Sequence, residues 1–267
     1  MGSASNMQNN NITIRKLWND FETTSKQYRD KIPARQFDYS TNISLKYEYL
    51  YLETPKVACS TIKSCLQKME LGDINFHRED FEAIHKREFS PLLKASQIGN
   101  LDNLISKSEI FKFCFVRNPY TRILSAYLDK IVKCKPAKAN ILKAMGHDSS
   151  NLNTSVNFKE FITTIYSQNI AEMDPHWRIQ YFQTCQKSIP FDYIGRLETF
   201  NKDFNQILSI LNNANPCLYF TSEQRHSTNS NKLLSKYYTP SLQAMIREKF
   251  SADFNYFNYS HTLPTSL

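Results

Sequence analysis

Hydrophobic and polar positions repeat with two different periods along this chain, and each period predicts a type of element. Residues 46–52 alternate in polarity and include three tyrosines, which predicts a strand that runs toward Pro55. Phe111 to Val116 form an apolar run broken by Lys112, as in a buried parallel strand. Apolar residues at helical spacing predict a helix after the first strand: Ile62, Cys65, Leu66 and Met69.

Further strands and helices follow in alternation, without an internal repeat. Asn118 can cap a helix whose first residue is Pro119 and whose apolar face continues to Val132. The remaining predicted elements are an outer N-terminal helix at 15–29, helices at 158–166, 200–211 and 240–250, and a strand at 192–196. Strands that alternate with helices in this way favour an α/β sheet.

The length and the hydrophobic content of the chain predict one domain with insertions, since 267 residues, 41% of them hydrophobic, are enough for one sizeable core. Residues 1–6 resemble a remnant of cloning, with Met7 as the native start. We expect an N-terminal helical segment at 7–45 and the main domain at 46–267, with a loop-like insertion at 133–157. No run of about 18 apolar residues exists, so we expect no membrane-spanning segment.

The charge and the cysteine content of the chain indicate what kind of ligand it binds and whether its thiols are reduced. Thirty-three basic and 25 acidic residues leave a net charge of +8, which suggests a polyanionic ligand, substrate or surface. The alternative is that the excess of basic residues forms a solvent-exposed face without a ligand. The six cysteines form no C-x-x-C pair and no secretory signal precedes them, so we expect reduced, mostly buried thiols.

The stretch 52–64 joins the first strand to its helix and has the character of an anion-binding loop without glycines. A strand, a tight loop of small residues and a helix N-terminus direct backbone N–H groups and a positive dipole end at one phosphate-like group. Lys56 can add a point charge, and Ser60 and Thr61 can add hydroxyl donors. An ordinary strand-to-helix turn with Ser60 as its N-cap explains the same residues equally well.

A second candidate anion site lies at the junction 115–122, which Ser125 follows. Arg117 at the carboxyl edge of a strand, with a serine about two turns into the next helix, can hold a phosphate. Ligands of open α/β sheets bind at the carboxyl ends of strands, so two such sites fit a nucleotide bisphosphate. The alternative is that Arg117 pairs with a structural carboxylate and that Ser125 faces its own helix.

Together the two junctions resemble the sulfotransferase family, in the branch of Golgi carbohydrate sulfotransferases that modify chondroitin and dermatan. Residues 55–63 (PKVACSTIK) are similar to the 5′-phosphosulfate loop of that branch, and residues 115–127 (FVRNPYTRILSAY) resemble its 3′-phosphate motif. The resemblance spans roughly residues 46–260. Weaker similarities occur at His176-Trp177, Cys185, 191–199, 227–228 and 254–260.

This resemblance implies a single-domain, P-loop-like fold with a mostly parallel sheet flanked by helices. It also implies that 3′-phosphoadenosine 5′-phosphosulfate (PAPS) donates a sulfuryl group. Lys56 would contact the bridging oxygen or the sulfuryl group, where the charge of the leaving group develops. The implied donor-binding residues are Ala58, Cys59, Ser60, Thr61 and Ile62 at the 5′-phosphate, Arg117 and Ser125 at the 3′-phosphate, and Ser227 and Thr228 in a closing loop.

Transfer to a sugar hydroxyl also calls for a group that accepts the hydroxyl proton. His85 lies between the two motifs, where this branch of the family carries its proposed catalytic histidine, and imidazole is the side chain that changes charge near neutral pH. His176 is the second choice, with Glu88 and Glu53 as carboxylate alternatives. This chemistry requires no metal.

The acceptor is the least transferable part of the resemblance. We expect a hydroxyl-bearing polysaccharide, glycolipid or glycoside, recognised by His176, Trp177 and the insertion 133–157. The Golgi members carry a membrane anchor and secretory disulfides, whereas this sequence shows neither and lacks the second cysteine expected after Cys185. A cytoplasmic, bacterial member of the family is the consistent interpretation.

The sequence argues against other classes of protein. The five glycines form neither G-x-x-x-x-G-K nor G-x-G-x-x-G, which argues against a Walker-type kinase and a dinucleotide oxidoreductase. A non-catalytic module for nucleic acid or acidic glycan would need aromatic and basic residues interleaved on one surface. The aromatics lie mostly in apolar segments such as 111–115, so a core explains them better and we expect no nucleic-acid partner.

Overall fold

In the part of the chain that the structure describes, four strands form a sheet in which three neighbours are parallel. The computed structural model describes residues 15–76, 81–212 and 230–264. β1 is antiparallel to β2, whereas β2, β3 and β4 are parallel to one another, which confirms the predicted mostly parallel α/β fold. In spatial order the strands are β1 (Thr41–Ser44), β2 (Tyr49–Leu52), β3 (Phe111–Val116) and β4 (Tyr193–Arg196).

Helices connect the parallel strands and surround the sheet. A π-helical turn at Tyr127–Ile131 follows the sixth helix, and short 3₁₀ turns include Phe81–His85, Arg87–Phe89 and Leu197–Thr199. The helices predicted at 158–166, 200–211 and 240–250 are all present. The described α-helices are α1 (15–24), α2 (Lys26–Arg29), α3 (Ala34–Ser40), α4 (Cys59–Leu71), α5 (Leu101–Ser106), α6 (Pro119–Ala126), α7 (Lys138–Ala144), α8 (Phe158–Ser167), α9 (Gln180–Gln183), α10 (Phe200–Asn212), α11 (Ser230–Tyr237), α12 (Pro240–Lys249) and α13 (Ser251–Tyr256).

Both faces of the sheet are buried. Successive side chains of a strand point to opposite faces, so each strand contributes residues to the core on either side of the sheet. On one face Tyr51 and Phe115 pack with residues of α4 and α10. On the other face Leu50 and Cys114 pack with residues of α1, α3 and α5. A parallel strand that is covered on both faces needs apolar residues at consecutive positions, which explains the hydrophobic run of β3.

The parallel register brings three strand ends to one edge of the sheet. Leu52 at the end of β2 pairs with Cys114, and Val116 at the end of β3 pairs with Arg196 at the end of β4. The segments that leave β2 and β3 therefore emerge side by side and lead into α4 and α6. Asn118 caps α6 by accepting a hydrogen bond from the backbone N–H of Tyr120, with proline as the first helical residue, as predicted.

Three segments differ from the sequence-based expectation. Residues 46–48, expected at the start of the first strand, form a turn before β2. Residues 41–44, expected in a helical segment, form β1 and pair with β2. The segment 133–157, expected to be loop-like, contains α7 and buries Ile141 and Leu142 in the same core as Phe161. A helix of seven residues has too few apolar positions to show a periodic pattern beside a Ser- and Asn-rich tail.

The cysteines of the described segments are all free thiols. Cys65, Cys114 and Cys185 are buried, whereas Cys59 and Cys134 are partly exposed. Among residues 15–76, 81–212 and 230–264, no helix is both long enough and apolar enough to cross a lipid bilayer.

Gly195 in β4 is a position where the sheet leaves no room for a side chain. A Cβ there would overlap the ring of Phe115, which is fully buried beside α10. We predict that Gly195→Ala lowers the free energy of unfolding by about 1–3 kcal/mol, because overpacking forces a core ring to move. Urea unfolding measures the difference. Gly99→Ala is the matched control, since nothing lies within 4 Å of the Cβ that it adds, and an equal loss there would contradict the explanation.

Candidate active site

The turn between β2 and α4 presents a helix N-terminus at the sheet edge that no side chain caps. α4 begins at Cys59, and its N-cap residue, Ala58, makes no side-chain cap hydrogen bond. The backbone of Lys56 and of Ala58 is left-handed, with φ angles of 70° and 53°. Such a conformation costs a non-glycine residue about 1 kcal/mol or more and is concentrated at functional sites. The first-turn N–H groups of a helix have no partner within it, so this turn suits an external anion.

Ser60 lies in the first turn of α4 and is partly exposed. The alternative in which Ser60 is an ordinary N-cap is wrong, because Ala58 holds that position. Thr61 follows Ser60 in the same turn and is also partly exposed, whereas Ile62 is buried and can offer only its backbone. Neither hydroxyl is therefore the N-cap of the helix.

Lys56 is held beside this turn by an ion pair with Asp129 of the π-helical turn. Its Nζ donates to Oδ2 of Asp129 at 2.8 Å, and Nζ of Lys130 lies 3.1 Å from the same oxygen. Burial lowers the pKa of Lys56, although Asp129 opposes that shift. Burial would raise the pKa of Asp129, but the two ammonium groups hold it well below its usual range. Asp129 is therefore ionised and competes with any bound anion for Lys56.

His85, at the end of the 3₁₀ turn Phe81–His85, lies against the first turn of α4. Its Nε2 is 2.7 Å from Oγ of Ser60, and its Nδ1 is 2.6 Å from Nζ of Lys63. The same ammonium forms an ion pair with Oε2 of Glu53 at 2.8 Å. Residues three apart in a helix share a face, so Ser60 and Lys63 contact the ring together.

Glu53, directly after β2, is the buried anion of this cluster. Burial would raise the pKa of its carboxyl group, but the adjacent Lys63 ammonium contributes most to holding the pKa at about 2. Glu53, Cys59 and His85 also place potential metal-ligand atoms within 4.8 Å of one another. The Lys63 ammonium already lies against the carboxylate and the ring, and burial raises the pKa of the Cys59 thiol to about 11. The cluster therefore contains its own cation, and its thiol is a poor metal ligand.

Arg117 connects the second junction to the first. Its guanidinium donates to the carbonyl oxygen of Lys56 at 3.2 Å and to Oγ1 of Thr121 at 2.9 Å. Burial lowers the pKa of Arg117 to about 10, while the nearby Glu198 opposes the shift. The structure thus places both predicted anion sites on neighbouring strand ends. Ser125 lies on α6 and is only 2% exposed.

Arg122 of α6 connects the second junction to the loop before α4 through hydrogen bonds. It is almost fully buried and donates to three carbonyl oxygens: those of Pro55 at 3.1 Å, Arg178 at 2.7 Å and Pro175 at 2.8 Å. The first of these belongs to the loop before α4, and the other two belong to the segment before α9. A buried guanidinium with several acceptors orients all of them, because each acceptor loses its solvation if it moves away.

Comparisons with known proteins show which family the sequence matches. The model of the sulfotransferase family matches residues 39–260, well over half of the chain. The chain belongs to the sulfotransferase family. Human carbohydrate sulfotransferase 14 is 27% identical to this family member over 228 residues, which cover 81% of the chain and 59% of the human protein.

Two further relatives show the same pattern. Mouse carbohydrate sulfotransferase 14 is 30% identical over 173 residues, or 62% of this family member and 45% of the mouse protein. Human carbohydrate sulfotransferase 9 is 27% identical over 233 residues, or 80% of the chain and 52% of that protein. The chain thus spans about half the length of the curated relatives it matches. No solved structure matches it.

The two residues predicted to bind the acceptor, His176 and Trp177, lie in different surroundings in this family member. His176 is partly exposed, its Nδ1 lies 2.6 Å from Oδ1 of Asp174, and burial lowers the pKa of His176. Trp177 is 0% exposed, packs edge-on against Phe161 and donates to Gln168. The prediction that Trp177 contacts the acceptor is therefore wrong, because its ring is part of the core. Ser227 and Thr228 lie outside the described residues.

Sequence reasoning missed three polar side chains of the site. Lys63 was visible as the last basic residue of the first motif, and Arg122 as the second arginine of the other motif. Asp129 follows the second motif by two residues and had no signal of its own. Their contacts join residues 22 to 73 positions apart, so no local pattern could reveal them.

The buried pair of Glu53 and Lys63 gives a prediction for acid stability. The pKa of Glu53 falls from 4.5 to about 2 on folding, so the pair stabilises the protein fully above about pH 4.5 and loses that contribution as the pH falls toward 2. We predict that Glu53→Gln is about 3 kcal/mol less stable than wild type near neutral pH, and that the difference shrinks across this acid window.

Urea unfolding of both proteins at several pH values checks this prediction. The exposed Glu172→Gln is the matched control and should stay close to wild type at every pH. A deficit of Glu53→Gln that is independent of pH would show that the carboxylate charge is not the source.

Proposed function

We propose that this chain transfers a sulfuryl group from PAPS to a hydroxyl of a carbohydrate-containing acceptor, which is a polysaccharide, a glycolipid or a glycoside. Membership of the sulfotransferase family supports the reaction class, and the relatives bear the name carbohydrate sulfotransferase. The observation that carries the proposal is the meeting of an uncapped helix N-terminus, a lysine and a histidine at one sheet edge. The cytoplasmic location and bacterial origin stay predictions.

Binding of the donor is divided between the two junctions. The N–H groups of the first turn of α4, from Ala58 to Ile62, and the hydroxyls of Ser60 and Thr61 suit the 5′-phosphate. Arg117 suits the 3′-phosphate, and its hydrogen bond to the carbonyl of Lys56 keeps the two sites adjacent. The other predicted donor contacts are Ser125, Ser227 and Thr228.

Lys56 has the place and the charge to stabilise the leaving group. Its ammonium is fixed next to the N-terminus of α4 by Asp129, so it is in position before the reaction begins. A preorganised charge of this kind stabilises developing negative charge without having to reorient during the reaction. Asp129 thereby acts as the partner that positions Lys56.

His85 is the group best placed to accept the proton of the acceptor hydroxyl. Its side chain is 31% exposed at the edge of the cluster and contacts Ser60 of the anion-binding turn. A hydroxyl that loses its proton as the new S–O bond forms is a better nucleophile, and positioned bases typically contribute about 10²–10⁴-fold. Glu53 is a weaker candidate, because it is buried and paired with Lys63.

Nucleotide binding is the first test of this proposal. Adenosine 3′,5′-bisphosphate (PAP) should raise the melting temperature, because a ligand at about 100 times its Kd stabilises the folded state by about 2.7 kcal/mol. Arg117→Ala should reduce the rise, whereas Ala at the exposed Arg35 should leave it unchanged. Differential scanning fluorimetry measures both. A chain that is stabilised by RNA and not by PAP would be a binding module instead, although the burial of Phe113 and Phe115 disfavours a base-stacking surface.

Measurement of turnover distinguishes a residue that acts as the base from a residue that binds the donor. His85→Ala should lose about 10²–10⁴-fold in kcat while it keeps the PAP-induced rise in melting temperature, because the base acts only on the acceptor proton. Transfer of labelled sulfate from PAPS to a panel of glycans and glycolipids measures kcat. The exposed His147→Ala is the matched control. Turnover of His85→Ala equal to that of wild type would assign the base to another residue.

A further inference from the structure

The two ring nitrogens of His85 have partners that decide where its proton lies. Nζ of Lys63 is 2.6 Å from Nδ1, and an ammonium group can only donate hydrogen bonds. Nδ1 must therefore accept, so a neutral ring carries its proton on Nε2. A doubly protonated ring does not fit, because its Nδ1–H would face a second donor at 2.6 Å.

The proton on Nε2 has a consequence for Ser60. Its Oγ lies 2.7 Å from Nε2 and accepts the ring N–H, which leaves the hydroxyl proton of Ser60 to point at another oxygen. That arrangement suits binding of an anion at the first turn of α4. It does not suit a general base, because Nδ1 is occupied by Lys63 and Nε2 is already protonated.

Glu53 offers the alternative partner for the ring. Its Oε1 lies 3.7 Å from Nδ1 of His85, and its Oε2 lies 2.8 Å from Nζ of Lys63. If the ammonium moved off Nδ1, this carboxylate could accept a hydrogen bond from a protonated Nδ1. A carboxylate in that role fixes the tautomer in which the other ring nitrogen is free to take a proton.

We propose that Lys63 is a positioning residue that keeps His85 in the Nε2–H tautomer until an anion binds at the first turn of α4, after which Glu53 takes over Nδ1. This inference rests on the proposed function. Ser60 and Lys63 share a helix face, so the ammonium can turn toward an anion bound at Ser60. The exchange of tautomer is balanced through water, which takes the proton from Nε2 and supplies one to Nδ1. Donor binding thus creates the base that the acceptor needs.

The other charged or titratable groups around the ring have different partners. The hydroxyl of Tyr39 donates to the backbone carbonyl of His85 at 3.0 Å and not to the ring. Arg87 attracts the carboxylate from a distance and donates to the carbonyl of Thr41 at 2.7 Å. Burial raises the pKa of Cys59 to about 11, so its thiol stays neutral. Within the described residues, the ammonium and the carboxylate are the charges closest to Nδ1.

Nitrogen NMR of the histidine side chains tests the proposal directly. The two-bond and three-bond ¹H–¹⁵N correlations of each ring distinguish the two tautomers, and the spectrum of His85→Gln assigns the His85 signals. The PAP-free wild type should show the Nε2–H form. Saturating PAP should exchange the protonated and unprotonated nitrogen signals, so that Nδ1 carries the proton.

Two variants separate positioning from a general structural role. Lys63→Met removes the donor and should show the Nδ1–H form even without PAP. Lys63→Arg keeps a donor of similar reach and should retain the Nε2–H form in the absence of PAP. If Lys63→Met does not fold because Glu53 has lost its partner, the wild-type and Lys63→Arg spectra still decide the question.

The outcomes that overturn the inference differ from those that overturn the proposed function. An Nδ1–H form in the PAP-free wild type would show that Lys63 does not set the tautomer. An unchanged His85 spectrum in a protein whose melting temperature PAP raises would show that anion binding does not release the ring. Failure of PAP to raise the melting temperature at all would instead refute the proposed donor site, and the inferred release with it.

Discussion

The parallel pairing of β2 with β3 is the constraint on which the site depends. Parallel strands end at the same edge of a sheet, so the segments leading to α4 and α6 emerge side by side. The guanidinium of Arg122 reinforces the arrangement by donating to the carbonyl of Pro55. Arg117 does the same at the carbonyl of Lys56. Two elements that are distant in the chain are thus held side by side at one edge of the sheet.

Compensated charges give that surface its chemical character. Glu53 with Lys63, and Lys56 with Asp129, are ion pairs taken partly or fully out of water. Breaking such a pair by removing one partner costs about 3–5 kcal/mol, since the remaining charge is left without compensation. A bound anion would supply either lysine with a second negative partner, so that no charge would be left without compensation. The site is therefore stable before binding and still able to respond to it.

Much of the fold and part of the site follow from local patterns. Alternation predicted β2, the apolar run predicted β3, and the Asn118-Pro119 pair predicted the start of α6, because each depends on residues close in sequence. β1 and α7 were missed, since a strand of four residues and a helix of seven carry too little periodic signal. The family resemblance placed Trp177 at the acceptor, and a sequence similarity does not show which face of a segment the core covers.

The amino-acid sequence by itself determined the type of sheet, the two candidate anion-binding junctions and the family, because these depend on short motifs in a fixed order. Only the tertiary structure decided which side chains meet at those junctions. The contacts of His85 with Lys63, and of Lys56 with Asp129, join residues 22 and 73 positions apart. The protonation pattern of a histidine depends on such neighbours, since hydrogen bonds to its two nitrogens select the tautomer. Packing therefore decides the chemistry of residues whose identity the sequence already shows.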